Sequence, residues 1–241
     1  GAVGGTGAVA SFAATAVASA TITAVTTTGG AITVSATGDI TVGSLNAAAG
    51  NVSLTSTGGN VLDDANQATR LTGATVTLSA AGTVGNAAAG DIDTAAANLS
   101  VTAGGNASVN ELDGVILTGA SVTGDVFELV TGGATTQTGV IDAAGFRITG
   151  SGAATLTAAN TVGTFAASRN GSLTFANVGD LALGSVTGLT GTTNGVAVTG
   201  ALDVSTGNGT SSATLTVAQP VSATTTVALT SDQNLLVNAT V

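Results

Sequence analysis

ITVSATGDI, residues 32–40, alternates apolar and small polar residues for four positions, turns at Gly38 and resumes with an apolar residue. Side chains along a strand alternate between two faces, so Ile32 and Val34 share one side and Thr33 and Ser35 the other. The nine-residue template is apolar, small polar, apolar, small polar, small, any, turn residue, any, apolar. It returns as VTLSAAGTV (76–84), LSVTAGGNA (99–107), ATLTAANTV (154–162) and LTFANVGDL (173–181). VAVTGALDV (196–204), ATLTVAQPV (213–221) and VALTSDQNL (227–235) continue it, and a looser VSLTSTGGNV begins at Val52.

Starts at 32, 52, 76 and 99 are 20, 24 and 23 residues apart, and those at 154, 173, 196 and 213 are 19, 23 and 17 apart. A βαβ unit needs about 30 residues, and no segment has a helical apolar stripe. Each period is therefore predicted to be one coil of a solenoid whose coils stack in parallel, with two or three short strands around a narrow apolar core. Eleven or twelve coils would make a rod of roughly 55 Å. GVILTGASVTGDVFELV (114–130) is strand-like but its register is open. The competing architecture is an antiparallel β-sandwich, favoured by the hairpin signals Asn170-Gly171, Asn194-Gly195 and Asn208-Gly209. The pattern runs from near the start to Val241, so residues 1–241 read as a single repeat region of a longer surface protein.

Composition removes many functions. Only 7% of residues are charged, 2% are aromatic, and Cys and His are absent. That leaves no disulfide, no thiol nucleophile, and no triad histidine. The only basic residues are Arg70, Arg147 and Arg169, against a net charge of −10. Nucleic-acid binding needs a dense basic footprint, and anionic lipid would repel this chain. No window approaches 18 apolar residues, and five phenylalanines without Tyr or Trp cannot girdle a membrane barrel.

GNVSLTSTGGNVLDDA (50–65), ATVTLSAAGTVGN (74–86) and NLSVTAGGNASVNELDGVILTGA (98–120) resemble the haemagglutinin-type repeats of filamentous-haemagglutinin-like two-partner secretion exoproteins. The resemblance covers most of residues 32–241. It implies a right-handed parallel β-helix, export through a dedicated outer-membrane transporter, and adhesion or biofilm roles at a Gram-negative cell surface. Pro220 is the only proline, so the family's Asn-Pro secretion motif is missing and this stretch corresponds to shaft. Expected partners are that transporter, a receptor or glycan on a host or neighbouring cell, and further copies end to end or side by side.

Candidate sites are few. Asp63/Asp64 and Asp91/Asp93 could ligate calcium, but read more simply as turn residues and solubilising charges. An enzymatic β-helix would need carboxylates with a basic residue, and Arg147 is expected to point outward near Asp142. Thr33/Ser35, Thr77/Ser79, Thr155/Thr157 and Thr214/Thr216 would form an outward hydroxyl ladder, as ice-binding solenoids use. Sequons at Asn51, Asn98, Asn106, Asn170, Asn208 and Asn238 carry no weight in so Ser/Thr-rich a chain. Neither a catalytic, a cofactor nor a metal site is assigned. The expectation is a non-enzymatic structural or adhesive shaft. A surface-layer lattice, a carbohydrate-binding or carbohydrate-active β-helix, and an ice-binding solenoid are the alternatives.

Overall fold

The computed structural model describes residues 8–86, 90–207 and 212–241. Asn208-Gly209 falls outside them. The strands in chain order begin with β1 (Phe12–Ala16), β2 (Ala20–Thr26), β3 (Ile32–Ala36), β4 (Ile40–Asn46), β5 (Asn51–Ser56) and β6 (Val61–Asp63). β7 (Leu71–Ala80), β8 (Ile92–Ala103), β9 (Ala107–Glu111), β10 (Val115–Thr131), β11 (Thr135–Gln137) and β12 (Ile141–Ser151) follow. Next are β13 (Ala154–Asn170), β14 (Leu173–Asn177), β15 (Leu181–Leu183), β16 (Ser185–Thr187), β17 (Thr192–Asn194) and β18 (Val196–Val198). The last are β19 (Leu202–Thr206), β20 (Thr214–Val217), β21 (Val221–Ala223), β22 (Val227–Ser231) and β23 (Asn234–Val237).

Every pairing between these strands is parallel except β16–β17. On one side of the molecule the ladder runs β1, β3, β5, β7, β8, β10, β11, β13, β14, β19, β22, which is eleven levels. The chain is thus a parallel β-solenoid of eleven turns, a rod of ~48 Å at ~4.8 Å per level. The sandwich is excluded, because a sandwich is built on antiparallel pairs.

Alternation decides what enters the core. In β3 and β5, Ile32, Val34, Val52 and Leu54 are fully buried and stacked in register. Three stretches per coil close this core, as β14, β15 and β18 do in one coil and β19, β20 and β21 in the next. Phe127, Phe146 and Phe165 align in register, with ring centroids 5.4 and 5.6 Å apart. Phe175 stacks on Phe165 at 4.3 Å from another side of the coil. Buried asparagines pin two corners. Asn160 accepts the Ile141 N–H and donates to the carbonyls of Leu156 and Ala176, and Asn177 accepts the Val162 N–H.

The template misplaces two coils. Leu173 stacks on Leu202, 29 residues on, and not on Val196. Val196 lies on another side, between Ala167 and Val221, and Leu215 stacks on Leu181. All sides of a coil show the same alternation, so the pattern alone does not say which side a strand occupies. The open stretch 114–130 is now fixed: β10 steps across two register shifts, at Leu117/Gly119 and at Val122/Val126.

Candidate functional site

Among the described strands, one pair leaves the solenoid. β16 and β17 form an antiparallel hairpin whose turn is Gly188–Gly191, closed by the Gly188 N–H donating to the Gly191 carbonyl at 2.9 Å. The Asn194-Gly195 signal is therefore not the hairpin turn. Gly195, with φ +71°, is where the chain rejoins the coil at β18. Asn170-Gly171 is a coil corner and no hairpin either, since β13 and β14 pair in parallel.

The hairpin lies across the flank of the solenoid. Val186 is buried where Gly145 and Val126 leave a notch, because a side chain at position 145 would press on both. The turn reaches Glu128 on β10, whose carboxylate accepts the Thr190 N–H at 2.9 Å and the Thr190 hydroxyl at 2.7 Å. Glu128 is fully buried and ion-paired to the Arg147 guanidinium on the adjacent coil. Arg147 Nε donates to Thr193 Oγ1 at 2.8 Å, so the same side chain holds the returning strand. Arg147 thus points outward as expected, but its partner is Glu128. Asp142 accepts instead from the Thr161 hydroxyl.

Beside β17 runs an open groove of about 930 Å³. Its floor is the register column Thr149, Ser168, Ala197 and Ser222, its wall is Thr192 to Asn194, and Arg147 closes one end. Among the described residues, no carboxylate and no aromatic ring lines it.

Lower on the rod, the acidic pairs are not the exposed charges that the sequence implied. Asp63, Asp91 and Asp93 are buried, but Asp63 and Asp64 are turn residues as expected: Asp63 accepts from the Ala65 N–H, and Asp64 from the Asn66 N–H and the Thr69 hydroxyl. Burial, aided by the charges of Asp91 and Asp63, pushes the Asp93 carboxyl up to about 6 against the pull of the Asn110 amide. Burial also raises Asp63 and Asp91, and raises Glu111, whose carboxylate accepts from Thr94 and the Ala96 N–H. Asp93 Oδ2 and Arg70 Nε are buried without a partner among the described residues. Among those residues no three carboxylates converge to hold a metal ion.

Arg169 points into the core. Its guanidinium donates to Thr131 Oγ1 and to the carbonyls of Thr149, Ser151, Gly152 and Gly133 at 2.5–3.1 Å. Burial lowers its pKa to about 10. The hydroxyl ladder is real but divided. Thr15, Ser35, Thr55, Ser79, Thr102, Ser121, Asp142 and Thr161 form one outward column over eight coils. Thr155 belongs to another column, with Thr136 and Thr174, and Thr214 aligns with Asn234.

Fold and flank together define a parallel β-solenoid carrying a lateral hairpin over a buried ion pair. No family model, no curated protein and no solved structure matches the chain.

Proposed function

We propose that this chain is a non-catalytic shaft segment of a secreted bacterial surface fibre, of the filamentous-haemagglutinin-like kind its repeats resemble. The observation that carries the reading is the eleven-level parallel ladder with one continuous apolar core. A solenoid holds a constant cross-section over distance, and each added coil repeats the same interface. The outward hydroxyl column and the acidic balance keep such rods hydrated and apart. Three arginines and no lysine offer trypsin-like proteases few cuts outside a cell. On this reading the chain reaches the surface through an outer-membrane transporter and contacts neighbouring cells or their glycans.

Cryo-EM of surface material from the expressing cells, with gold-labelled antibody against this chain, tests the reading. Labelled thin rods with a ~4.8 Å axial repeat are expected. Label confined to the cell interior would overturn it.

A further inference from the structure

A shaft needs only coils, yet residues 185–194 leave the coil and are tied down on its flank. The hairpin buries a single large apolar side chain, Val186, against the flank, and its anchor is the buried pair Glu128–Arg147. Taking two charges out of water is costly, so the pair is poorly explained as a gain in stability. What the hairpin does create is a wall beside a groove.

The hairpin lies flat. Val186 and Thr193 face the solenoid, while Ser185 bonds to Asn194 and Thr187 to Thr192 on the far face. The pairs 184/195, 186/193 and 188/191 are the hydrogen-bonded ones, because Gly195 N–H donates to Gly184 and Gly188 N–H to Gly191. Thr192 and Asn194 are out of phase by one residue. In an antiparallel ladder their main-chain N–H and C=O groups therefore turn away from β16. That direction is the groove, and no strand pairs with this edge among the described residues.

We propose that the free edge of β17 receives an extended polypeptide segment as a third strand. Donors and acceptors repeating at every second residue match an extended backbone. The floor of Thr149, Ser168, Ala197 and Ser222 spans four coils, ~14 Å, room for about four residues at ~3.4 Å each. Its small side chains leave space for β-branched ones from the added strand. With no carboxylate in the lining, the segment's own side chains can be uncharged. A sugar chain is disfavoured, since no aromatic face is present for a ring to stack on. The proposal goes beyond the shaft reading and stands without it, because the edge is presented wherever the chain is located.

The test is NMR of the ¹⁵N-labelled full chain titrated with a Thr-Val-Thr-Val-Thr-Val peptide. The same peptide N-methylated at alternate residues, in both phases, and a neutral β-linked hexasaccharide serve as comparators. The expected result is that the Thr192 and Asn194 amides shift and exchange with deuterium about tenfold more slowly with the plain peptide alone. Unmoved amides would overturn the proposal. So would equal effects of plain and N-methylated peptides, which would mean side-chain docking, or a response to the hexasaccharide alone, which would make the groove a sugar site.

Discussion

Glu128 and Arg147 stand in register on adjacent coils, and their ion pair also clasps a hairpin that begins at Ser185, well further along the chain. The carboxylate takes the turn through Thr190, and the guanidinium takes the returning strand through Thr193. One side-chain pair thus converts an insertion in the coil into a fixed feature of the flank.

Glu128→Ala removes the acceptor of Thr190 and strands Arg147 under the hairpin. Breaking one partner of a buried pair costs about 3–5 kcal/mol. Hydrogen exchange at Thr190 and its neighbours should rise sharply, while amides in β3 and β5, many coils away, keep their protection. Unchanged protection at Thr190 would show that the hairpin does not depend on Glu128.

Stability should fall as pH rises from about 4 to 6. An unfolded Asp releases its proton near 3.8, whereas folded Asp93 holds its proton to about 6. Between those values the folded state binds more protons than the unfolded, so the slope of stability with pH is negative. Asp63, Asp91 and Glu111 shift in the same direction and add to it. Urea midpoints at pH 5 should exceed those at pH 8. Asp93→Asn, which keeps a carbonyl for Asn110, should flatten the profile and add about 1–2 kcal/mol at pH 8. A profile that rises from pH 5 to 8 would contradict the buried-acid account.

The strand alternation and near-20-residue recurrence in ITVSATGDI and its copies were enough to read a solenoid from sequence. They could not assign sides, which is why Val196 and Ala213 appeared to open coils that begin at Leu202 and Val227. The hairpin was legible only as a local signal, and the Asn-Gly at its exit drew attention from the Gly188–Gly191 turn. The Glu128–Arg147 pair was hidden for a different reason. Glu128 lies between Phe127 and Leu129 at an outward position, and only the hairpin folding over it makes that position buried. The same holds for Asp91 and Asp93, whose spacing in sequence says nothing of what covers them.

Arg169 should be irreplaceable by lysine. Its planar fork reaches carbonyls on two levels and the Thr131 hydroxyl, passing the coil at Gly150, where the main chain has φ +105° and a side chain would run into the Thr131 carbonyl. Arg169→Lys supplies a point charge that cannot meet those acceptors together. Each orphaned buried acceptor costs about 1–3 kcal/mol, so a loss above about 3 kcal/mol is expected for both Arg169→Lys and Arg169→Met. Equal stability of wild type and Arg169→Lys in urea would remove the case for a structural fork.

The phenylalanine column predicts an uneven response to truncation along the rod. Phe146 sits between Phe127 and Phe165 and touches Phe175, so Phe146→Ala opens a void bounded by rings on both neighbouring coils. A loss of about 3–5 kcal/mol is expected. Phe12 is only half-buried at the edge of the described ladder, and its removal should cost much less. Because each coil leans on its neighbours, Phe146→Ala should raise hydrogen exchange in β10, β12 and β13 before it does so in β3 or β5. Uniform loss of protection along the whole rod would instead mean that the eleven coils unfold as one unit, with no nearest-neighbour limit to the damage.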